Sequence, residues 1–152
     1  MGRVERARDV PVAAEHAWRL WTDPARWPTF VEGFKHVERV QGEWPRVDGR
    51  IQWASTPGGR GRVTEKVLRA EPGALLVTQV FEEALTATQT VAFIAAGDGP
   101  ETWVEVALAY ELTQAGWLKQ LTDVLFIRRE LGAALERTLR RFAAEAAEEA
   151  AL

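Results

Sequence analysis

The sequence predicts an α+β fold: a seven-stranded antiparallel sheet curled around a long C-terminal helix, with two short helices between strands 1 and 2. Three observations carry this. Six strand-like runs between residues 34 and 112 are parted only by short turn-forming breaks. A proline-free stretch from Gly116 to about Ala147 is rich in Ala, Leu, Arg and Glu. One strand-like run at the start leads into a helical stretch punctuated by proline. There is no internal repeat and no linker, so residues 1–152 read as a single domain. With 152 residues, 47% of them hydrophobic, the chain can build one sizeable core.

The elements follow in order. "VERARDVPV" alternates weakly and reads as the first strand, ended by Pro11. From Ala13 to Trp21 the period changes, and Ala14, Ala17, Trp18 and Trp21 share one helical face. Thr22 or Asp23 caps a second, very short helix that starts at Pro24, a residue suited to a first helical turn. Pro28 is expected to push Trp27 out of the α region and so end that helix. Strands are predicted at Phe34–Val40, Arg50–Thr56, Arg62–Arg69, Leu75–Phe81, Leu85–Ala95 and Trp103–Leu112. The breaks between them, "GEWPRVDG", "PGGRG", "EPG", "EE" and "GDGPE", are short and imply antiparallel neighbours. In the final helix Leu118, Leu121, Leu125, Leu135, Leu139 and Phe142 fall on one stripe. About 30 residues at 1.5 Å each make a helix roughly 45 Å long. Its tail, "AEAAEEAAL", puts negative charge at the negative end of the helix dipole, so the last turns should fray.

Composition excludes several chemistries. A net charge of −3 and a pI near 5.5 argue against a general nucleic-acid binder. The absence of cysteine removes disulfides and thiolate nucleophiles or ligands. No apolar run approaches the ~18 residues of a membrane helix, and "MGRVERARDV" is charged where a signal peptide would be apolar. The expectation is a cytoplasmic protein with no integral membrane segment. Ser55 is the only serine, and the histidines, His16 and His36, stand in no triad or ligand motif, so neither a Ser–His–Asp site nor a metal site is expected. "PGGRG" lacks the strand–loop–helix setting of a phosphate loop, and no cofactor is implied. Arg60 and Arg62 read as a solvated rim, and Glu82 and Glu83 as a solvent-exposed turn tip.

Three stretches carry a family resemblance. "VPVAAEHAWRLWTDPARWPTFVEGFKHVE" is similar to the opening of START-like (helix-grip) proteins: strand, small residues, a helix with Trp, then "D…WP.F…V…E". "ETWVEVALAYELT" resembles their last strand, and the C-terminal helix completes the match. The sequence looks closest to the polyketide cyclase/dehydrase and lipid-transport branch. The resemblance implies a cavity between the concave sheet and the long helix, holding an apolar small molecule. The same fold hosts carriers, receptors, cyclases, hydratases and chaperone-binding domains, so the fold does not select among them.

Strand parity then nominates cavity residues. Val104, Val106, Leu108 and Tyr110 must face inward, because Glu105 and Glu111 share the other side. Gln89, Val91 and Phe93 form the inward set of the preceding strand, and Ile51, Trp53 and Ser55 that of the third. Phe30 and Phe34 stand where the chain re-enters the sheet. The candidate ligand-binding residues are Phe30, Phe34, Trp53, Phe93, Val106, Leu108, Tyr110, Leu121, Leu125 and Arg128. Arg128 has two readings: a guanidinium for a ligand carboxylate or phenolate, or a flank residue whose stem packs while its head stays wet. "RVTEKVLRA" defeats parity, since Val63, Glu65 and Val67 would share one face and Thr64, Lys66 and Leu68 the other. By resemblance to aromatase/cyclases Lys66 would enter the pocket; the simpler account is an exposed lysine.

Two functions are weighed. One is binding of a small hydrophobic molecule: a lipid, isoprenoid, quinone or polyketide-like compound. The alternative is a cyclase or dehydratase that shapes a reactive chain in the same cavity. The first is favoured, because only Tyr110 is placed with assurance as an inward polar group. A chaperone-activator-like interaction domain is a third possibility.

Overall fold

The computed structural model describes residues 1–113 and 124–152. The chain runs β1 (Gly2–Val10), α1 (Ala14–Thr22), a 3₁₀ turn (Pro24–Arg26), α2 (Trp27–Phe30), β2 (Phe34–Gln41), β3 (Arg50–Ser55), β4 (Arg62–Glu71), β5 (Leu75–Phe81), β6 (Leu85–Ala95), β7 (Thr102–Leu112) and α3 (Val124–Ala150). All seven strands join one antiparallel sheet in the order β1-β7-β6-β5-β4-β3-β2. Each strand from β2 to β7 pairs with its successor, as the short turns require, and β1 closes on β7.

The turns show why the breaks carry the residues they do. In the β3–β4 hairpin, Gly58 and Gly61 adopt φ of +80° and +74°, the left-handed region open to glycine. Ser55 accepts from the Gly61 amide at 2.8 Å, so the one serine is a turn-forming residue. Asp23 caps the 3₁₀ turn, accepting from the Ala25 amide at 3.0 Å.

Two expectations are corrected. Trp27 is in the αR region (φ −57°, ψ −32°), and Pro28 lies in the first turn of α2 rather than ending a helix. A proline costs little there, because its missing N–H has no helical partner. The Trp27 indole is buried and donates to the Trp21 carbonyl at 2.7 Å, which holds the backbone in place. The acidic tail of α3 does not fray: the helix continues to Ala150. Glu145 and Glu149 both pair with Arg26, and His16 Nε2 lies 2.6 Å from Glu149 Oε1. These partners on α1 and the 3₁₀ turn offset the unfavourable dipole.

An aromatic cluster forms where α1, α2 and the second half of α3 meet the sheet. Phe142 packs edge-on to Trp21 and Phe30, with centroids 5.1 and 5.0 Å apart, and Trp18 meets Phe93 at 5.8 Å. Glu32, between α2 and β2, takes Arg137 at 3.0 Å and Arg141 at 2.7 Å, tying that loop to α3. Along α3 the packing decreases toward its start: Leu139 and Phe142 are buried, Leu131 and Leu135 half-buried, and Leu125 is 74% exposed.

Candidate functional site

The inner face of the sheet carries the residues that parity selects. On β7 Val104, Val106, Leu108 and Tyr110 are buried, while Trp103, Glu105 and Glu111 are exposed on the outer side. On β6 Val91 and Phe93 are buried and Gln89 is half-buried. On β3 Ile51 and Trp53 are buried.

On β4 the ambiguity resolves. Ile51 pairs with Glu65 and Trp53 with Val63, and directly opposed residues share a face. Val63, Glu65 and Val67 therefore point inward. Lys66 points outward, half-buried, with its Nζ 3.7 Å from Asp48 Oδ1.

The inward carboxyl is what the sequence reading missed. Glu65 Oε2 accepts from the Trp53 indole Nε1 at 3.0 Å, and Oε1 accepts from the Thr78 hydroxyl at 3.4 Å. Its cross-strand neighbours are Ile51 on β3 and Val80 on β5, both apolar. Continuing the same row across the sheet come Ala87 on β6 and Tyr110 on β7. Burial pushes the Glu65 carboxyl above the usual carboxylate range; the Trp53 hydrogen bond, the Arg60 charge and the Thr78 hydrogen bond oppose this without cancelling it. Hairpin register contained the signal, because once Trp53 is placed inward its partners follow.

The turn tips correct two further expectations. Glu82 is not a solvated tip residue. Its side chain is only 7% exposed and accepts from Arg60 Nε at 2.6 Å, with a second bond from Nη2 to the same oxygen. Arg60 in turn lies over the Trp53 ring, 5.0 Å from its centroid. Stacking and pairing together draw both residues out of solvent. Arg60, Glu82, Trp53, Glu65 and Thr78 thus form one connected polar group at the β3–β4 end of the inner face.

This arrangement matches a known family over nearly the whole chain. The family described as polyketide cyclase/dehydrase and lipid transport matches residues 1–147. The chain belongs to this family. No curated protein matches the sequence. Among solved structures, a START superfamily protein from Mycobacterium smegmatis superposes with a TM-score of 0.77 at 14% identity, covering 96% of this chain and 97% of that one. A protein from Thermus thermophilus gives 0.69 at 20% identity, with 95% and 99% covered. Norcoclaurine synthase from Thalictrum flavum, in complex with dopamine and hydroxybenzaldehyde, gives 0.68 at 15% identity, with 97% and 87% covered. These likenesses concern the fold, which is the helix-grip arrangement of the START superfamily.

In this member of the family, the residues nominated from the sequence fall into four groups. Trp53, Val106, Leu108 and Tyr110 line the inner face, and Phe34 packs on Trp53 at 5.3 Å. Phe30 and Phe93 belong to the aromatic core around Trp21, Phe142 and Trp18. Leu125 and Arg128 are exposed and line a groove between β1 and the start of α3, with Arg3, Arg6 and Arg129. They sit apart from the inner face because the first turns of α3 lie beside β1 rather than over the sheet centre, and Arg128 follows the flank reading. Leu121 lies outside the described residues. Tyr110 faces inward but leans toward β1, over Gly2, where any side chain would collide with the phenol. Among the described residues no group of His, Cys, Asp or Glu that could hold a metal comes together, and no helix is long and apolar enough to cross a membrane.

Proposed function

We propose that the protein binds a small hydrophobic molecule, such as a lipid, isoprenoid, quinone or polyketide-like compound, in a cavity between the inner sheet face and α3. The observation that carries this reading is the make-up of the inner face. It is apolar along its length, with Trp53, Val80, Val91 and Val106 buried, and Glu65, Gln89 and Tyr110 set polar groups into it. An apolar wall set with a few polar groups has the composition of a ligand site. Phe34, Trp53, Leu108 and Tyr110 would supply apolar contact. Burying about 300 Å² of apolar ligand surface is worth roughly 7 kcal/mol before the costs of association. The family description, which includes lipid transport, points the same way.

One observation favours the alternative, a cyclase or dehydratase. Glu65 is an inward acid whose carboxyl is held above its ordinary range, a property of general acids. Norcoclaurine synthase supports the idea that this fold accommodates small organic reactants.

Native mass spectrometry of the protein as purified tests the binding reading. The expected result is a bound small molecule that solvent extraction removes. Protein free of ligand that also fails to take up any apolar compound in titration would refute it.

A further inference from the structure

The Glu65 carboxyl has a defined hydrogen-bonding asymmetry. The indole Nε1 of Trp53 is a donor only, so Oε2 must act as an acceptor at that 3.0 Å contact. A proton on the carboxyl therefore belongs on Oε1. The one protein partner of Oε1 among the described residues is the Thr78 hydroxyl, at 3.4 Å, the long end of hydrogen-bond geometry. A better-placed oxygen would take that proton in preference. Laterally the carboxyl has only Ile51 and Val80, and the next residue along the row, Ala87, is small. The nearest described cation, Arg60, is already committed to Glu82 and to the Trp53 ring.

We propose, resting on the binding reading above, that Glu65 anchors the ligand: as a neutral acid it donates from Oε1 to a carbonyl or ether oxygen on an otherwise apolar, uncharged molecule. The burial that raises the carboxyl above its usual range favours the neutral form and so supports this role. The ligand class narrows accordingly. A pure hydrocarbon leaves the O–H on its long contact with Thr78. An anionic head brings a second negative charge beside Glu82. A ketone, quinone or ester places one acceptor oxygen against Oε1 and its apolar body against Trp53 and Phe34.

Three naphthalenes substituted at the same ring position test this: one with an acetyl group, one with an ethyl group and one with an aminomethyl group. Dissociation constants are measured by NMR titration at the most acidic pH at which circular dichroism shows wild type, Glu65→Gln and Glu65→Leu all folded, where the neutral carboxyl is favoured. The wild type should bind the acetyl compound about tenfold more tightly than the ethyl compound, the worth of one good hydrogen bond. Glu65→Gln, whose amide still donates, should keep most of that preference. Glu65→Leu should abolish it while binding the ethyl compound at least as well. Glu65→Ala serves the same purpose should leucine not fold.

Equal binding of the acetyl and ethyl compounds by wild type would overturn the anchor while leaving the binding reading standing. So would a preference that survives in Glu65→Leu. Tightest binding of the aminomethyl compound would also overturn it, since that result requires a charged carboxylate. If none of the three bound any variant, the binding reading itself would fail and the anchor with it.

Discussion

Replacing Phe142 by alanine removes a ring at the point where α3 is pinned to the rest of the molecule. Phe142 is 0% exposed and meets both Trp21 and Phe30 edge-on. The lost ring withdraws about 150 Å² of buried apolar surface, roughly 4 kcal/mol at 25 cal/mol per Å². That agrees with the ~3–5 kcal/mol typical of deleting a buried aromatic ring. In a domain of this size the melting temperature should fall by about 8–16 °C. Urea unfolding followed by tryptophan fluorescence and circular dichroism measures the loss directly. The internal control is Leu125→Ala on the same helix. Leu125 is 74% exposed, so its truncation should change stability by less than about 0.5 kcal/mol. A loss below about 1 kcal/mol for Phe142→Ala, or a larger loss for Leu125→Ala, would refute the view that α3 is anchored through its second half.

Gly132 sits in the interior of α3, where a methyl group would push aside the far end of the flexible Arg6 side chain, whose guanidinium bonds the Glu5 carbonyl and faces Glu136. Gly132→Ala should therefore raise stability, by up to about 1 kcal/mol from helix propensity, read as a higher urea midpoint. Gly2→Val should do the reverse, because its side chain would displace the Tyr110 phenol from its seat on β1, and the shift is visible in the near-ultraviolet dichroism of the one tyrosine. Glu149 is held below the usual carboxylate range by its His16 hydrogen bond and by Arg26, so its contribution is present above about pH 4.3 and lost as the pH falls through its folded value. Glu149→Gln should flatten that part of the acid-unfolding curve. Glu65 has the opposite sign. It binds its proton more tightly folded than unfolded, so stability falls as pH rises from about 4.3 to its raised value, with Arg60 and Glu82 the charged groups named beside it. Urea midpoints across that window should slope downward for the wild type and lose that slope in Glu65→Gln.

The fold was legible because its signals are local. Turn chemistry set the strand limits to within two residues, and Leu75–Phe81 and Leu85–Ala95 match those expected from the sequence. Parity worked on β7 because Glu105 and Glu111 can only face water. It failed on β4, where each face holds one charged residue and burying one of them depends on partners from other strands. Trp53 and Thr78 supply those partners, twelve and thirteen residues from Glu65. Glu82 was misplaced for the same reason. A turn tip is solvated by default, and only the fold of the neighbouring hairpin brings Arg60 across to cover it. On α3 periodicity put Leu125 and Phe142 on one stripe, but a helix that leaves the sheet partway along its length keeps its period and loses its contacts.

The two ends of the inner face divide the work of the domain. At one end Trp18, Trp21, Phe30, Phe93 and Phe142 fill the space, and the Arg26, Glu145, Glu149 and His16 group locks the end of α3 over them. An inward carboxyl is costly, and a small domain tolerates one where the rest of its core is complete and the carboxyl keeps two donors. The segment 20–30 therefore stands on the structural side of this division: Trp21, Trp27 and Phe30 close the core. The residues proposed to recognise a ligand lie some thirty positions further on, where β3 and β4 carry Trp53 and Glu65 on one face.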